Sequence, residues 1–297
     1  MNIAQILPQI AADRHVLLAG PTASGKSALA LALAQQQGGV IVNGDALQVW
    51  SCWRVISARP SARDEAAAPH RLYGHMAPGA DWSVGRWLGQ VAELLAQGER
   101  LIVVGGTGLY LHALGHGLAV IPPVPPELRA EADHRLAAPG GLAGLAAELD
   151  AETARRIDLR NPARVQRAWE VLRATGRGLV AWQADTPAPL IGPEISQRFV
   201  LTTDRDWLAE RIARRFHLMM AEGALDEVRA MLPHWQPPAL WTRAIGAPEL
   251  IAYLRGETTL DQAIERAIIA SRQYAKAQRI FFRGRMKDWL SLPIAAA

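Results

Sequence analysis

The residues best suited to chemistry stand near the start of the chain, in the run Gly20-Pro21-Thr22-Ala23-Ser24-Gly25-Lys26-Ser27. This G-x-x-x-x-G-K-[ST] spacing makes a phosphate cradle. Backbone N–H groups turn inward, the next helix adds its positive N-terminal end, Lys26 reaches the phosphates and Ser27 offers its hydroxyl to Mg2+. The pattern is specific for a di- or triphosphate and does not by itself say nucleotide. An ordinary nucleotide hydrolase would place an Asp at the end of a second apolar strand. Here the apolar run Leu101 to Val104 ends in Gly105-Gly106-Thr107-Gly108, a second backbone-rich loop. The acid that remains is Asp45, at the end of the run Val40-Ile41-Val42. A carboxylate there holds magnesium through water or accepts a proton from an acceptor substrate; its structural alternative is a helix N-cap before Ala46 and Leu47. Thr107 places a hydroxyl on the same edge, or serves only the turn.

The elements that position these residues follow from periodicity. His15 to Ala19 reads as a buried strand, Ser27 to Gln37 as the helix after it, and Gly38-Gly39 as its stop. "GVIVNGDA" is predicted as a strand ending at Asp45 and "RLIVVGGTGLYL" contains a third. Strands alternating with helices imply an α/β fold, a P-loop NTPase-like parallel sheet with helices on both faces. The texture then changes: "IPPVPPELRAE" opens an Arg-, Ala- and Leu-rich helical stretch that lasts to about Trp182. After "TPAPLIGPE" the run Gln197 to Thr203 returns to the sheet, and from Asp206 the pattern is helical to the end. The expected division is a core of residues 1–122 and 193–297 interrupted by an all-helical insertion, 123–192.

Composition narrows the class. Over 297 residues, 32 Lys and Arg face 28 Asp and Glu, a mild tilt toward an anionic partner. The single cysteine, Cys52, excludes an internal disulfide framework and fits a reducing compartment. No leader pattern and no apolar run near bilayer length is visible, so the protein is expected in the cytoplasm without membrane contact. Nothing demands a dimer, and a monomer is expected. The arginines are arranged: Arg272, Lys276, Arg279 and Arg283 fall on one narrow helical face, opposite Tyr274 and Phe281. Like charges at this spacing repel, so the stripe asks for a polyanion. Arg160, Arg164 and Arg167 form a smaller stripe, with Gln166 beside it. Arg211, Arg214 and Arg215 share a helix from which at least one guanidinium can turn to a pyrophosphate.

With these residues in place, the chain resembles the tRNA dimethylallyltransferase (isopentenyl-tRNA transferase) family over almost its whole length. The likeness is carried by "AGPTASGKSALA", Asp45, "ISARPS", "VVGGTGLYLHAL", "NPARVQRAWEVLRATGR", "RIARRFHLMMAEGALDEV", "RAIGAPEL" and "SRQYAKAQRIFFR". It implies Mg2+-dependent transfer of a dimethylallyl group from its diphosphate to the exocyclic amine of the adenosine just 3′ of the anticodon, with release of pyrophosphate. The resemblance assigns Gly20 to Ser27 and Arg211 to the diphosphate, Ser27 to Mg2+, Asp45 to the amine proton and Thr107 to the reacting adenosine. It assigns contact with the tRNA anticodon stem-loop to Asp45, Ala46, Leu47 and Gln48, to Thr107 and Arg129, and to Ala163, Arg164, Val165, Gln166 and Arg167. The same contact is implied for Arg243, Ala244, Ile245, Gly246 and Ala247 and for Lys276, Ala277, Gln278, Arg279, Ile280, Phe281, Phe282 and Arg283. The helical insertion matches the family's tRNA-clasping domain.

The chain departs from the family pattern in three places. Val49-Trp50-Ser51 stands for Val-Tyr-Arg, Ser57 and Arg59 stand for Thr and Lys, and Lys276-Ala277-Gln278 stands for Lys-Arg-Gln. Three other readings of the residues remain open here: a small-molecule kinase, a prenyltransferase acting on free adenine nucleotides, and an RNA-binding module with a regulatory phosphate loop.

Overall fold

The computed structural model describes residues 3–294. Contacts divide the chain into two compact units, Met1–Gly115 with Leu190–Ala297, and His116–Pro189.

The first unit is built on six parallel strands: β1 (His15–Ala19), β2 (Val40–Asn43), β3 (His70–Arg71), β4 (Leu101–Gly105), β5 (Ser196–Thr203) and β6 (Leu290–Ile294), in the order β3-β2-β4-β1-β5-β6. Because β1 lies between β4 and β5, Val16 to Ala19 are paired on both sides; Leu18, for instance, aligns with Val104 and Phe199. Successive side chains alternate between faces. Leu17, Ala19, Val42 and Val103 join one core, whereas Val16, Leu18, Ile41 and Ile102 join the other. Both faces are therefore covered, as strands of near-continuous apolar residues require. The smaller core is closed by Leu29, Ala30, Leu33 and Ala34 of the helix Lys26–Gln37. The larger is closed by Trp53, Trp87 and Trp241 and by the long helix Leu260–Arg285.

Three readings of the sequence are corrected. The second strand ends at Asn43, so Asp45 stands in the turn beyond it. The two-residue β3 escapes notice because no period can be read from so short a run. The chain is not helical to its end: β6 pairs with β5 from Leu290 to Ile294, and its Pro293 is tolerated because this is an edge strand with one side free of ladder bonds.

The second unit is wholly helical, with helices at Pro126–Ala137, Gly141–Ala147, Ala151–Arg156, Pro162–Thr175 and Leu179–Ala184. Its core is small, made of the fully buried Ala132, Leu145, Val165 and Trp169. The Trp169 indole N–H donates to Glu148 at 2.6 Å, and Arg135 and Arg173 both lie over the ring. Arg135 and the Trp169 indole hold the Glu148 carboxyl at about 2, well below its ordinary value.

Candidate active site

In a parallel sheet the loops after the strands gather at the carboxyl edge, where the strand order reverses. The loops after β1, β2 and β4 meet there. The phosphate loop leaves β1 and enters its helix through Gly25, whose φ of 93° lies in the left-handed region; Ala23, with φ 62°, adopts the same region without being glycine. Strain of this kind persists only where the surroundings impose it.

Lys26 donates to the Pro21 carbonyl at 3.3 Å. Burial pushes its ammonium down to about 8; the Asp45 carboxylate opposes that shift and Arg215 adds to it. Two arginines approach from the helix Arg205–Ala221, one turn apart. Arg211 donates from Nε to the Ala23 carbonyl at 3.0 Å and stacks on Trp207, while Arg215 reaches the Thr22 hydroxyl at 3.4 Å. Burial also lowers the Arg215 pKa. The two arginines and Arg214 line a second hollow along the loop, together with Ala23, Gly25, Lys26 and Ser27.

Asp45 is held by a buried amide. Asn43 accepts the Asp45 N–H at 2.8 Å and donates to the carbonyls of Asp45 and Leu72, each at 3.0 Å, while its own carbonyl accepts the Trp87 indole N–H at 2.7 Å. The Asp45 carboxylate accepts the Leu47 N–H at 3.0 Å. Thr107 stitches this turn to the loop after β4 by accepting the Ala46 N–H at 3.0 Å. That loop must be glycine: a Cβ at Gly105 would lie 2.0 Å from the Gly44 carbonyl oxygen, and one at Gly106 would lie 2.3 Å from Gln278 and 3.2 Å from the Asp45 carboxylate. Gln278, on the helix Leu260–Arg285, binds both loops. Its Oε1 accepts the Thr22 N–H at 2.9 Å and its Nε2 donates to the Gly106 carbonyl at 2.8 Å.

The result is one pocket with three kinds of wall. Thr22, Lys26, Ser27 and Arg215 form its phosphate side, and Asp45, Ser271 and Tyr274 its polar roof. Ile56, Ile212, Phe216, Met219 and Ile245 form its apolar side. Ile56 is set by Glu227, whose carboxylate accepts the backbone N–H groups of Arg54, of Val55 at 3.1 Å and of Ile56 at 2.8 Å. Among the described residues no cluster of three His, Cys, Asp or Glu is placed to hold a metal. Ser27 and Asp45 nevertheless line this pocket together, and a hydroxyl plus a carboxylate beside phosphate oxygens is the donor set that Mg2+ takes.

The residues assigned to tRNA divide. Arg129, Ala163, Arg164, Arg243, Lys276, Ala277, Ile280 and Arg283 are exposed, and Arg279 is half-buried. Val165, Ala244, Gly246, Ala247, Gln278 and Phe282 are buried, and of these Ala244 and Gln278 line the pocket. The Gln48 amide donates to the Ser57 and Ala58 carbonyls, at 2.9 and 2.8 Å. Gln166 is engaged by Asp133 and Glu170, and Phe281 packs against Gly108. Reading the sequence gave no site role to Asn43, Tyr274, Glu227 or, Ile245 apart, the apolar wall, and it favoured Arg211 over Arg215. A signal did exist for Arg215: it repeats Arg211 at i+4 on one helical face.

The model of the IPP transferase family matches residues 48–285, and that of isopentenyl transferase matches residues 14–77. The tRNA dimethylallyltransferase of Paracoccus denitrificans (strain Pd 1222) is 66% identical over 289 residues, covering 96% of both chains. That of Dinoroseobacter shibae is 60% identical, covering 98% of both. Among solved structures, the tRNA isopentenylpyrophosphate transferase of Bacillus halodurans superposes with a TM-score of 0.68 at 28% identity, over 95% of this chain and 90% of that one. A eukaryotic dimethylallyltransferase, described as acting on tRNA, shares the fold with a TM-score of 0.79 at 24% identity, over 94% and 73%. Matches of this extent leave one conclusion: the chain belongs to the IPP transferase family, with the tRNA dimethylallyltransferases as its relatives.

Proposed function

We propose that the protein transfers the dimethylallyl group of dimethylallyl diphosphate to the exocyclic amine of the adenosine 3′-adjacent to the anticodon of a tRNA, releasing pyrophosphate. The observation that carries this reading is the pocket itself, where a phosphate cradle, a carboxylate and an apolar wall share one space. A prenyl diphosphate has the matching halves. A kinase would have no use for Ile212, Phe216 and Met219 beside its phosphates, and a free nucleotide would need no exposed stripe of Arg272, Lys276 and Arg283.

The nitrogen–carbon bond forms as the carbon–oxygen bond to the diphosphate breaks. The departing oxygen keeps the electron pair, and the amine gives its proton to Asp45. Lys26, Arg215, Arg211 and the loop N–H groups meet the charge that develops on the leaving oxygens. Mg2+, held by the Ser27 hydroxyl and by Asp45 through water, would neutralise part of the same charge when bound. The target base must leave its stack to reach the pocket, which costs less in an anticodon loop than in a duplex. The exposed positive residues, Arg129 and Arg164 of the helical unit included, take the RNA backbone, and the helical unit acts as the tRNA clasp. No helix among the described residues is long and apolar enough to cross a membrane. On this reading the work is done in the cytoplasm, by a monomer.

The test is incubation with Mg2+, dimethylallyl diphosphate and unmodified tRNA, followed by mass spectrometry of the nucleosides. A C5H8 addition to adenosine is expected; its absence with a competent tRNA overturns the proposal.

A further inference from the structure

The apolar side of the pocket is made of side chains that have nowhere to retreat. On the helix Arg205–Ala221, Ile212, Phe216 and Met219 recur at i, i+4 and i+7, one stripe round from Arg211 and Arg215. An apolar surface therefore begins where the contacts with the phosphate loop stop. Met219 and Ile245 are half-buried, whereas Ile56, Ile212 and Phe216 are buried. Phe216 and Ile56 rest directly on main chain: a Cβ on Gly246 would lie 2.7 Å from the Phe216 ring and 2.8 Å from the Ile56 Cδ1. Gly246 is itself held in place. Its φ of 98° is one that other residues rarely adopt, its N–H donates to the Glu249 carboxylate at 2.8 Å, and its carbonyl accepts the Leu250 N–H at 3.0 Å. Ile56 is pinned from its own side by Glu227. A ring backed by fixed main chain leaves no space behind it, and a close-packed wall admits extra carbons only at a cost.

We propose that Phe216, with Ile56 beside it, is the stop that limits the transferred group to a single isoprene unit. The inference rests on the transfer reaction proposed above and concerns how its donor is chosen. Prenyl diphosphates of different length share the diphosphate and the reacting carbon, and differ only in isoprene units added at the end remote from the phosphates. Lys26, Ser27, Arg211, Arg215 and Asp45 meet the shared part, so none of them can tell dimethylallyl from geranyl diphosphate. The choice falls to the apolar side. Burying more hydrocarbon is favourable wherever there is room, so a donor gains from length until it meets a surface that does not give. Phe216 is the largest side chain on that surface, and its ring is about as large as the isoprene unit that geranyl diphosphate adds.

The test varies the donor and the wall together. The full-length wild type, Phe216→Ala and Ile56→Ala are incubated with unmodified tRNA, Mg2+ and either dimethylallyl or geranyl diphosphate, and the nucleosides are weighed for C5H8 or C10H16 on adenosine. The readout is the ratio of kcat/KM for the two donors, which a partly unfolded or generally weakened variant leaves unchanged because both donors lose alike. The wild type is expected to favour dimethylallyl diphosphate by about 100-fold, the scale on which an apolar pocket discriminates by size. Phe216→Ala should move the ratio toward geranyl diphosphate by about 10- to 100-fold, and Ile56→Ala in the same direction by less. Should Phe216→Ala not accumulate as folded protein, Phe216→Leu is read in the same way. Comparable wild-type turnover of both donors, the longer tail then leaving past Met219 and Ile245, overturns the proposal without reference to any variant. A ratio that moves in no variant overturns it as well, and so does a Phe216→Ala defect confined to the KM for tRNA, which would make the ring a support for the base. If the wild type transfers nothing from dimethylallyl diphosphate, it is the transfer reading that falls.

Discussion

Lys26 carries its charge at a cost to the ligand-free fold. Its pKa in the folded chain, about 8, lies below the ordinary 10.5 of the unfolded one, so folding disfavours the ammonium. Below pH 8 the penalty is complete, roughly 3 kcal/mol, and it fades as pH rises from 8 toward 10.5. Lys26→Met should therefore melt at a higher temperature than the wild type at pH 7, with the gap closing by pH 10.5, while losing affinity for dimethylallyl diphosphate. A bound diphosphate reverses the logic by favouring the charged form. Its binding should take up a proton above pH 8 and weaken by up to about tenfold per pH unit there, as calorimetry in two buffers of different ionisation enthalpy can show. Asp45→Asn should leave tRNA affinity largely intact and lower the rate of transfer by ~10²–10⁴-fold, the usual worth of a positioned base. A normal turnover number for that variant would remove Asp45 from the chemistry.

The elements that hold the site fall into those visible in the sequence and those visible only in space. Glu227, in the helix Ala224–Met231, receives three backbone N–H groups from the turn that presents Ile56. Glu227→Ala leaves those donors without their partner and should cost about 3 kcal/mol, raising the KM for dimethylallyl diphosphate through the loosened apolar wall. Glu227→Gln, which still offers an acceptor, should recover much of both. No local pattern announces this clamp, because its two ends lie about 170 residues apart. By contrast the phosphate loop, Asp45 and the glycine loop were legible, since each joins a short-range motif to an apolar strand. Within the helix Leu260–Arg285 the sequence revealed the charged face but not the opposite one. Gln278 and Tyr274 were read as part of an RNA-facing run or as mere counterweights to the stripe, although their helical phase differs from that of Arg272, Lys276 and Arg283. The last strand was missed because Pro293 and its short length obscure a pattern that only the waiting edge of β5 can stabilise.

At the scale of the whole molecule, excess positive charge becomes an affinity that salt can tune. If the exposed Arg272, Lys276 and Arg283 meet RNA phosphates, neutralising all three with Gln should reduce the slope of log affinity against log salt by about 2. The chemistry measured at saturating tRNA should be little changed, and filter binding over a salt series reads the difference. The hydrogen bond between Thr22 and Gln278 has a different kind of consequence, because it joins residues 256 positions apart. A ribosome releases the phosphate loop early and the helix Leu260–Arg285 late, with β5 emerging only after the helical unit. Until then β1 has an unpaired edge and the pocket lacks its roof, a state exposed to misassembly and slow to resolve. A nascent or prematurely terminated chain thus holds the phosphate motif without a working site, and competence to modify RNA arrives only when synthesis has reached the final helix.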